Sequence, residues 1–205
     1  MHIYANLTYF HLSKLMKMKK VPQDSNTHRN SKMTLNEVYF WTDTIKDWKP
    51  ILKHDAYKEI ILSSWKELVR RKKIVVYAFV IMPNHLHVVW ELSEFNGKEM
   101  PHASFNKFTS HVIIQDLKRN YPKILPYLQV NEMDRKHRLW QRDPLAIRMD
   151  NRLKIEQKIN YIHHNPLQPK WNLVTSPTLY QWSSADFYEN GGQNHGILTH
   201  YLERF

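Results

Sequence analysis

One stretch of this chain decides how the rest folds: Met82-Pro83-Asn84-His85-Leu86-His87-Val88-Val89-Trp90. It follows a nearly unbroken apolar run over residues 74–81, which is typical of a strand buried on both faces. The proline and asparagine between the two apolar runs predict a turn, so the two strands form a hairpin. Because side chains alternate between the faces of a strand, His85 and His87 point to the same side.

The segments on either side of the hairpin predict the remaining elements. Strands are expected over residues 38–42 and, at a sheet edge, 139–149; helices are expected over 55–71, 105–120 and from Asp150 or Asn151 to His164. The order is β-α-β-β-α-β followed by a helix. It predicts an α+β protein with a ferredoxin-like or RRM-like core and an antiparallel sheet. In the second helix we expect Phe108, Val112 and Ile113 to face the core.

Composition limits the class of protein. The chain has 205 residues, no cysteine, and a formal net charge of +11 with a pI of about 9.7. The absence of cysteine excludes disulfides and thiolate metal sites. No apolar run is long enough to predict a transmembrane helix, and no signal peptide is recognisable, so we expect no membrane partner. The excess of positive charge predicts a polyanionic partner, and an uninvolved basic surface is the alternative.

The sequence also predicts three regions. Residues 1–32 carry scattered lysines in a polar stretch without periodicity, and we interpret them as a basic, disordered arm. Residues 33–190 form the predicted folded domain, and residues 191–205 a C-terminal tail.

A second candidate element lies near the end of the third helix, in Tyr161-Ile162-His163-His164-Asn165-Pro166. Helical spacing places Lys154, Lys158, Tyr161 and Asn165 on one stripe, while Ile155, Ile159 and Ile162 face the core. If this stripe meets the two histidines, then His85, His87 and Asn165 can ligate one Mg²⁺ or Mn²⁺, with Tyr161 beside it as a nucleophile. Taken separately, a pair of strand histidines and a boundary tyrosine are ordinary structural features.

Four motifs in the same order carry a family resemblance. His85-Leu86-His87 resembles the HUH motif (histidine, hydrophobic residue, histidine), and residues 161–166 resemble the tyrosine motif of the single-tyrosine HUH transposases. The segments Leu139-Trp140-Gln141-Arg142-Asp143 and Tyr180-Gln181-Trp182-Ser183-Ser184-Ala185 match further. The resemblance runs from about residue 36 to 188. It is to the REP-associated tyrosine transposases, which are relatives of small insertion-sequence transposases.

The resemblance implies an enzyme that cleaves and rejoins single-stranded DNA. Tyr161 would form a 5′-phosphotyrosine link and release a 3′-OH, with His85 and His87 as metal ligands. Asn165 stands where relatives carry glutamine or asparagine as the third ligand, and Mg²⁺ or Mn²⁺ would be the cofactor. The implied partner is single-stranded or hairpin DNA of the palindromic-repeat type, and the implied location is the bacterial cytoplasm, in association with the nucleoid. Monomer and homodimer both remain open.

Recognition of DNA is expected to use basic side chains of the predicted helices and the edge strand: Lys107, Lys118, Arg119, Arg142, Arg148, Lys154 and Lys158. Two other functions compete with the transposase. One is a domesticated, non-catalytic nucleic-acid-binding protein of the same fold. The other is a metal-dependent hydrolase that uses water, which would need a base beside the metal.

Overall fold

The computed structural model describes residues 32–205. The predicted basic arm, except for its last residue, lies outside them. The strands are β1 (Val38–Thr44), β2 (Ile74–Ile81), β3 (His85–Leu92) and β4 (Leu145–Arg148), and the α-helices are α1 (Asp55–Arg70), α2 (Pro101–Asn120), α3 (Arg152–His164) and α4 (Ala185–Asn190). Short 3₁₀ turns join them, among them Lys46–Trp48, Pro122–Leu128 and Asn165–Leu167.

The four strands form one antiparallel sheet in the order β2-β3-β1-β4. The predicted α+β class and β-α-β-β-α-β order are therefore confirmed. The two central strands, β1 and β3, pair over the whole of β1, with Thr42 opposite His87. The edge strand β4 is shorter than expected, because only Leu145–Arg148 form a ladder with β1. Before Pro144, the Gln141 amide donates to the Thr44 carbonyl at 2.7 Å, outside the ladder.

Helices α1 and α2 cover one face of the sheet, which we call the tryptophan face. Trp41 and Trp90 meet there edge to face, with ring centroids 5.4 Å apart, and Phe105 of α2 stacks on Trp65 of α1 at 5.6 Å. All four side chains are buried. Large aromatic groups buried at such distances supply much of the free energy that holds the helices on the sheet.

One prediction about α2 is wrong. Phe108 is 51% exposed, and the residues that face the sheet lie four apart along the helix: Pro101, Phe105, Thr109, Ile113 and Leu117. The helix begins at Pro101, one turn earlier than the sequence indicated, and its buried stripe is centred on Thr109. Ile113 is buried as predicted, and Val112 is half-buried. Thr109 accepts a hydrogen bond from the indole of Trp140, which explains a polar side chain at a core position.

The opposite face of the sheet carries α3 and is called the histidine face. Asn151 caps this helix, since its side chain accepts a hydrogen bond from the Lys154 amide. Ile155, Ile159 and Ile162 are buried as predicted. The helix ends at His164, and a 3₁₀ turn through Pro166 continues the chain.

The C-terminal segment protects the free edge of β2. Backbone amides of Ile81, Ser184 and Thr199 donate to carbonyls across this edge, at 2.9 to 3.0 Å. An open strand edge invites pairing with another chain, and these bonds remove much of that opportunity. No helix between residues 32 and 205 is long and apolar enough to cross a membrane.

Candidate functional site

The centre of the histidine face brings both elements of the sequence prediction together. The rings of His85 and His87 have centroids 4.8 Å apart, and the ring of Tyr161 lies 5.3 Å from that of His87. Asn165 is buried at the end of α3, where it influences the pKa of both His85 and Tyr161. Residues 74 or more positions apart in sequence thus meet because α3 crosses the strand that carries the histidines.

Each histidine is oriented by a hydrogen bond at Nδ1. The Nδ1 of His85 lies 2.7 Å from the side-chain oxygen of Asn84, whose amide nitrogen donates to the Trp48 carbonyl at 3.0 Å. That arrangement makes Nδ1 of His85 the donor and leaves Nε2 with a lone pair. The Nδ1 of His87 lies 2.7 Å from Oγ1 of Thr42, its partner across the strands.

Three buried polar atoms at this site have no hydrogen-bond partner: Nε2 of His87, the side-chain oxygen of Asn165 and the indole nitrogen of Trp171. Buried polar atoms in proteins are nearly always hydrogen-bonded, so unpaired atoms on neighbouring residues of one site need an explanation. Imidazole nitrogen and amide oxygen are both ligands of Mg²⁺ and Mn²⁺ sites. The donor set of His85, His87 and Asn165 therefore fits a divalent cation.

The electrostatics keep both imidazoles neutral. Burial lowers the pKa of His85 to about 4, and the nearby Lys170 lowers it further, while Asn165 opposes the shift. Burial also lowers the pKa of His87 well below its ordinary value, with smaller contributions from His85 and from Lys158 and Lys170. Neutral imidazole is the form that binds a metal, so the pocket holds both ligands ready at neutral pH. Among residues 32–205, no three His, Cys, Asp or Glu side chains form a group that could hold a metal, and the third donor here is an amide.

Tyr161 stands at the open side of the site, 41% exposed. Burial of the rest of its ring raises the pKa of the phenol, and Asn165 opposes this effect. The ammonium group of Lys158 lies 5.6 Å from the centre of the Tyr161 ring and 4.7 Å from that of Phe40. Burial lowers the pKa of Lys158. A half-buried cation beside the phenol favours its ionised form.

The predicted basic residues do not form one surface. Lys158 borders the site, whereas Lys107, Lys118 and Arg142 line a cavity of about 870 Å³ beside α2, the helix that covers the tryptophan face, and Arg119 is exposed near the end of α2. Four of the seven are paired with carboxylates: Lys107 with Glu99, Arg142 with Glu132, Arg148 with Glu37 and Lys154 with Asp150.

Sequence reasoning missed several residues of the site. Thr42 lies near the end of β1, and Trp48 lies in the 3₁₀ turn that follows it. Lys170 and Trp171 belong to the segment after α3, and the Trp171 ring lies 5.6 Å from that of His85. Lys170 and Trp171 follow Pro169, and a basic residue next to an aromatic one shortly after the tyrosine motif was a usable signal. For Thr42, only the strand register reveals the contact with His87.

Comparison with solved structures finds the same fold. The structure of a REP-associated tyrosine transposase bound to a REP hairpin matches with a TM-score of 0.57 and 16% sequence identity, over 85% of this chain and 92% of the other. No protein-family model matches this chain, and no curated protein matches it in sequence. The likeness is therefore one of fold.

Proposed function

We propose that this protein is a metal-dependent transposase that cleaves and rejoins single-stranded DNA through a 5′-phosphotyrosine intermediate. The observation that carries the proposal is the meeting of Tyr161 with the unpaired Nε2 of His87 and the unpaired oxygen of Asn165. A protein that only binds nucleic acid has no need of a phenol beside two unpaired atoms that can ligate a metal. The similar fold of a transposase bound to a hairpin supports the same conclusion.

In the proposed reaction, the phenol oxygen of Tyr161 attacks the phosphorus of a phosphodiester. The bond from phosphorus to the 3′ oxygen breaks, and the strand 5′ of the break leaves with a free 3′-OH. The phenol proton passes to solvent, and the departing oxygen takes a proton from solvent. The phosphodiester energy is kept in the tyrosine link, so a 3′-OH of another strand can reverse the step and join two strands.

The phenol is a poor nucleophile while it is protonated. A phenol with the ordinary pKa near 10 is about one part in a thousand ionised at pH 7, a deficit of roughly 4 kcal/mol. Burial raises the pKa of Tyr161, so its deficit is larger. Asn165 opposes the rise in the pKa of Tyr161, and we expect the positive charge of Lys158, 5.6 Å from the ring centre, to act in the same direction once DNA is bound. Bound by His85, His87 and Asn165, a Mg²⁺ or Mn²⁺ ion supplies polarisation of the phosphate and neutralisation of its developing charge.

Hairpin DNA with an unpaired flank is the proposed substrate. The net charge of +11 suits a polyanion, and single-stranded binding that neutralises about five phosphates should give a slope of log K against log salt near −3.5. Monomer and homodimer are both compatible with this proposal, as is a location at the bacterial nucleoid.

The test is formation of a covalent adduct. Hairpin DNA labelled on its 3′ side is incubated with the protein and Mn²⁺, and the products are separated on a denaturing gel. We expect a labelled protein band for the wild type, none for Tyr161→Phe, and an undiminished band for the control Tyr188→Phe. Tyr188 donates its hydroxyl to the Tyr77 carbonyl of β2, so this control removes a phenol oxygen that is bonded to the backbone of another strand than the one with His85 and His87.

Two outcomes would replace the proposal. A cleaved product with a free 5′-phosphate and no adduct would identify a hydrolase that uses water. Tight, salt-dependent DNA binding without any cleavage would identify a non-catalytic binding protein of this fold.

A further inference from the structure

Trp48 has an unusual backbone conformation for so large a residue. It follows β1 in the 3₁₀ turn Lys46–Trp48, and both Asp47 and Trp48 lie in the left-handed region, with φ of 53° and 57°. A bulky residue seldom adopts this conformation, and strain of this kind is concentrated at functional sites. The Trp48 side chain is also 56% exposed, so packing in the core does not account for it.

The position of Trp48 is tied to the candidate metal site. Its ring lies 6.0 Å from that of His85, and its carbonyl accepts a hydrogen bond from Asn84. The oxygen of the same Asn84 side chain accepts from His85. One asparagine therefore fixes both the metal-binding form of His85 and the loop that presents Trp48 beside it.

Further exposed aromatic rings continue from Trp48, away from the site. The ammonium group of Lys49 lies 4.8 Å over the Tyr127 ring, and Lys46 donates to the Tyr127 carbonyl at 3.4 Å. Beyond them an apolar groove of about 350 Å³ is lined by Tyr121 and Tyr127, which are 40% and 56% exposed. We call Trp48, Tyr121 and Tyr127 the aromatic strip.

The charge along the strip is positive. Residues 46–54 contain three lysines, Lys46, Lys49 and Lys53, and one aspartate, Asp47, which pairs with Lys46. Exposed rings interleaved with lysines are what an unpaired nucleic-acid strand requires, because bases stack on the rings while phosphates meet the cations. A second copy of the chain would place the same lysines against each other, which like-charge repulsion opposes.

We propose that the aromatic strip binds the unpaired strand of the DNA substrate, with Trp48 stacked on the base next to the phosphate that Tyr161 attacks. The placement of that phosphate rests on the proposed function. The strip itself is a binding surface and is testable without cleavage.

The test uses hairpin DNA whose unpaired flank carries 2-aminopurine at each position in turn, in the presence of EDTA. Stacking on an indole quenches this base. We expect strong quenching at one flank position with the wild type and none there with Trp48→Gly, a variant chosen because glycine accepts a φ of 57° without strain. Affinity for the flanked hairpin should fall about 5- to 100-fold in Trp48→Gly and in Tyr127→Ala.

Two controls accompany these variants. Phe108→Ala removes an aromatic ring of similar exposure from α2 and should bind as the wild type does. A blunt hairpin without the flank should bind equally to the wild type and to Trp48→Gly.

Unchanged affinity and unchanged quenching in Trp48→Gly and Tyr127→Ala would overturn the proposal. So would a change of oligomeric state in these variants without a change in DNA binding, because the strip would then be a contact between protein chains. If adducts form with Mn²⁺ while the strip variants bind DNA normally, the proposed role of the strip is wrong and the proposed function stands. If the strip variants lose DNA binding but the wild type forms no adduct, the proposed role of the strip stands and the proposed function is wrong.

Discussion

The two faces of the sheet are built from alternate residues of the same strands, yet they bury different chemistry. Trp41 and Trp90 face helices α1 and α2, among closely packed aromatic rings. Thr42, the residue after Trp41 in β1, and His87, three residues before Trp90 in β3, face α3 on the other side. The tryptophan face supplies stability through apolar burial. The histidine face holds two imidazoles that hydrogen bonds orient, beside the buried Asn165 and the partly exposed phenol of Tyr161. Buried polar atoms without a partner occur on both faces. Substitutions on the two faces should therefore have separable effects.

The largest effect is expected on the histidine face. His87→Ala removes the unpaired Nε2, and we expect cleavage to fall at least about 1,000-fold, or more than about 4 kcal/mol. The free energy of unfolding should change by less than about 2 kcal/mol, since the lost group makes one hydrogen bond. A cleavage assay with hairpin DNA and Mn²⁺ measures the first effect, and denaturant unfolding measures the second. The control is His111→Ala, which replaces an exposed histidine of α2. Cleavage by His87→Ala at the wild-type rate would place the site elsewhere.

The tryptophan face should respond in the opposite way. Phe105→Ala empties a fully buried position that contacts Trp65 and Trp90, and should reduce the free energy of unfolding by about 3 to 5 kcal/mol. The fraction that remains folded should keep the wild-type rate of adduct formation. Leu153→Ala, 65% exposed, should change stability by less than about 0.5 kcal/mol. A loss of chemistry in folded Phe105→Ala would break the division between the faces.

Asp43 is a buried carboxyl group on the tryptophan face and predicts a pH dependence. Burial raises the pKa of Asp43 from 3.8 to about 7, against hydrogen bonds from Asn106 and the Thr44 amide. The folded chain thus keeps a proton that the unfolded chain releases between about pH 4 and 7. The contribution to stability is full below pH 4 and is lost as the pH rises through 7, by roughly 4 kcal/mol at most.

The Asp43→Asn variant isolates this contribution. Subtracting its unfolding free energy from that of the wild type at each pH should give a difference that declines from pH 4 to 7. Asp47→Asn, at a fully exposed carboxylate, should follow the wild-type curve closely. A difference that does not vary with pH would show that Asp43 is ionised throughout.

The smallest effect compares two threonines. Thr42→Val removes the oxygen bonded to His87 and should weaken Mn²⁺ binding about 10- to 100-fold while stability changes little. Thr109→Val removes the acceptor of the Trp140 indole and should lower stability by about 1 to 2 kcal/mol with unchanged Mn²⁺ affinity. If both variants affect Mn²⁺ binding alike, the threonines act through the sheet as a whole rather than through their own faces.

Local patterns in the sequence sufficed for much of the fold. Alternation places His85 and His87 together, and helical spacing places Tyr161 and Asn165 on one stripe of α3, because both depend only on neighbouring residues. The error at Phe108 arose because the buried stripe of α2 contains a polar residue, Thr109, where the apolar pattern favours the neighbouring phenylalanine.

Non-local contacts account for what the sequence did not reveal. Thr42 meets His87 through the strand register, and Lys170 influences both histidines from a segment more than 80 residues away in sequence. The excess of positive charge likewise did not indicate where DNA would bind, since the basic residues lie on both sides of the sheet. The left-handed backbone of Trp48 has no signature in its neighbours.

The central claim is that Tyr161 is the nucleophile, and peptide mapping of the trapped adduct tests it most directly. The protein is incubated with hairpin DNA and Mn²⁺, the adduct is digested with protease and nuclease, and mass spectrometry locates the residual nucleotide. We predict a nucleotide 5′-phosphate on Tyr161 within the peptide that spans the end of α3. A nucleotide on any other residue would contradict the account.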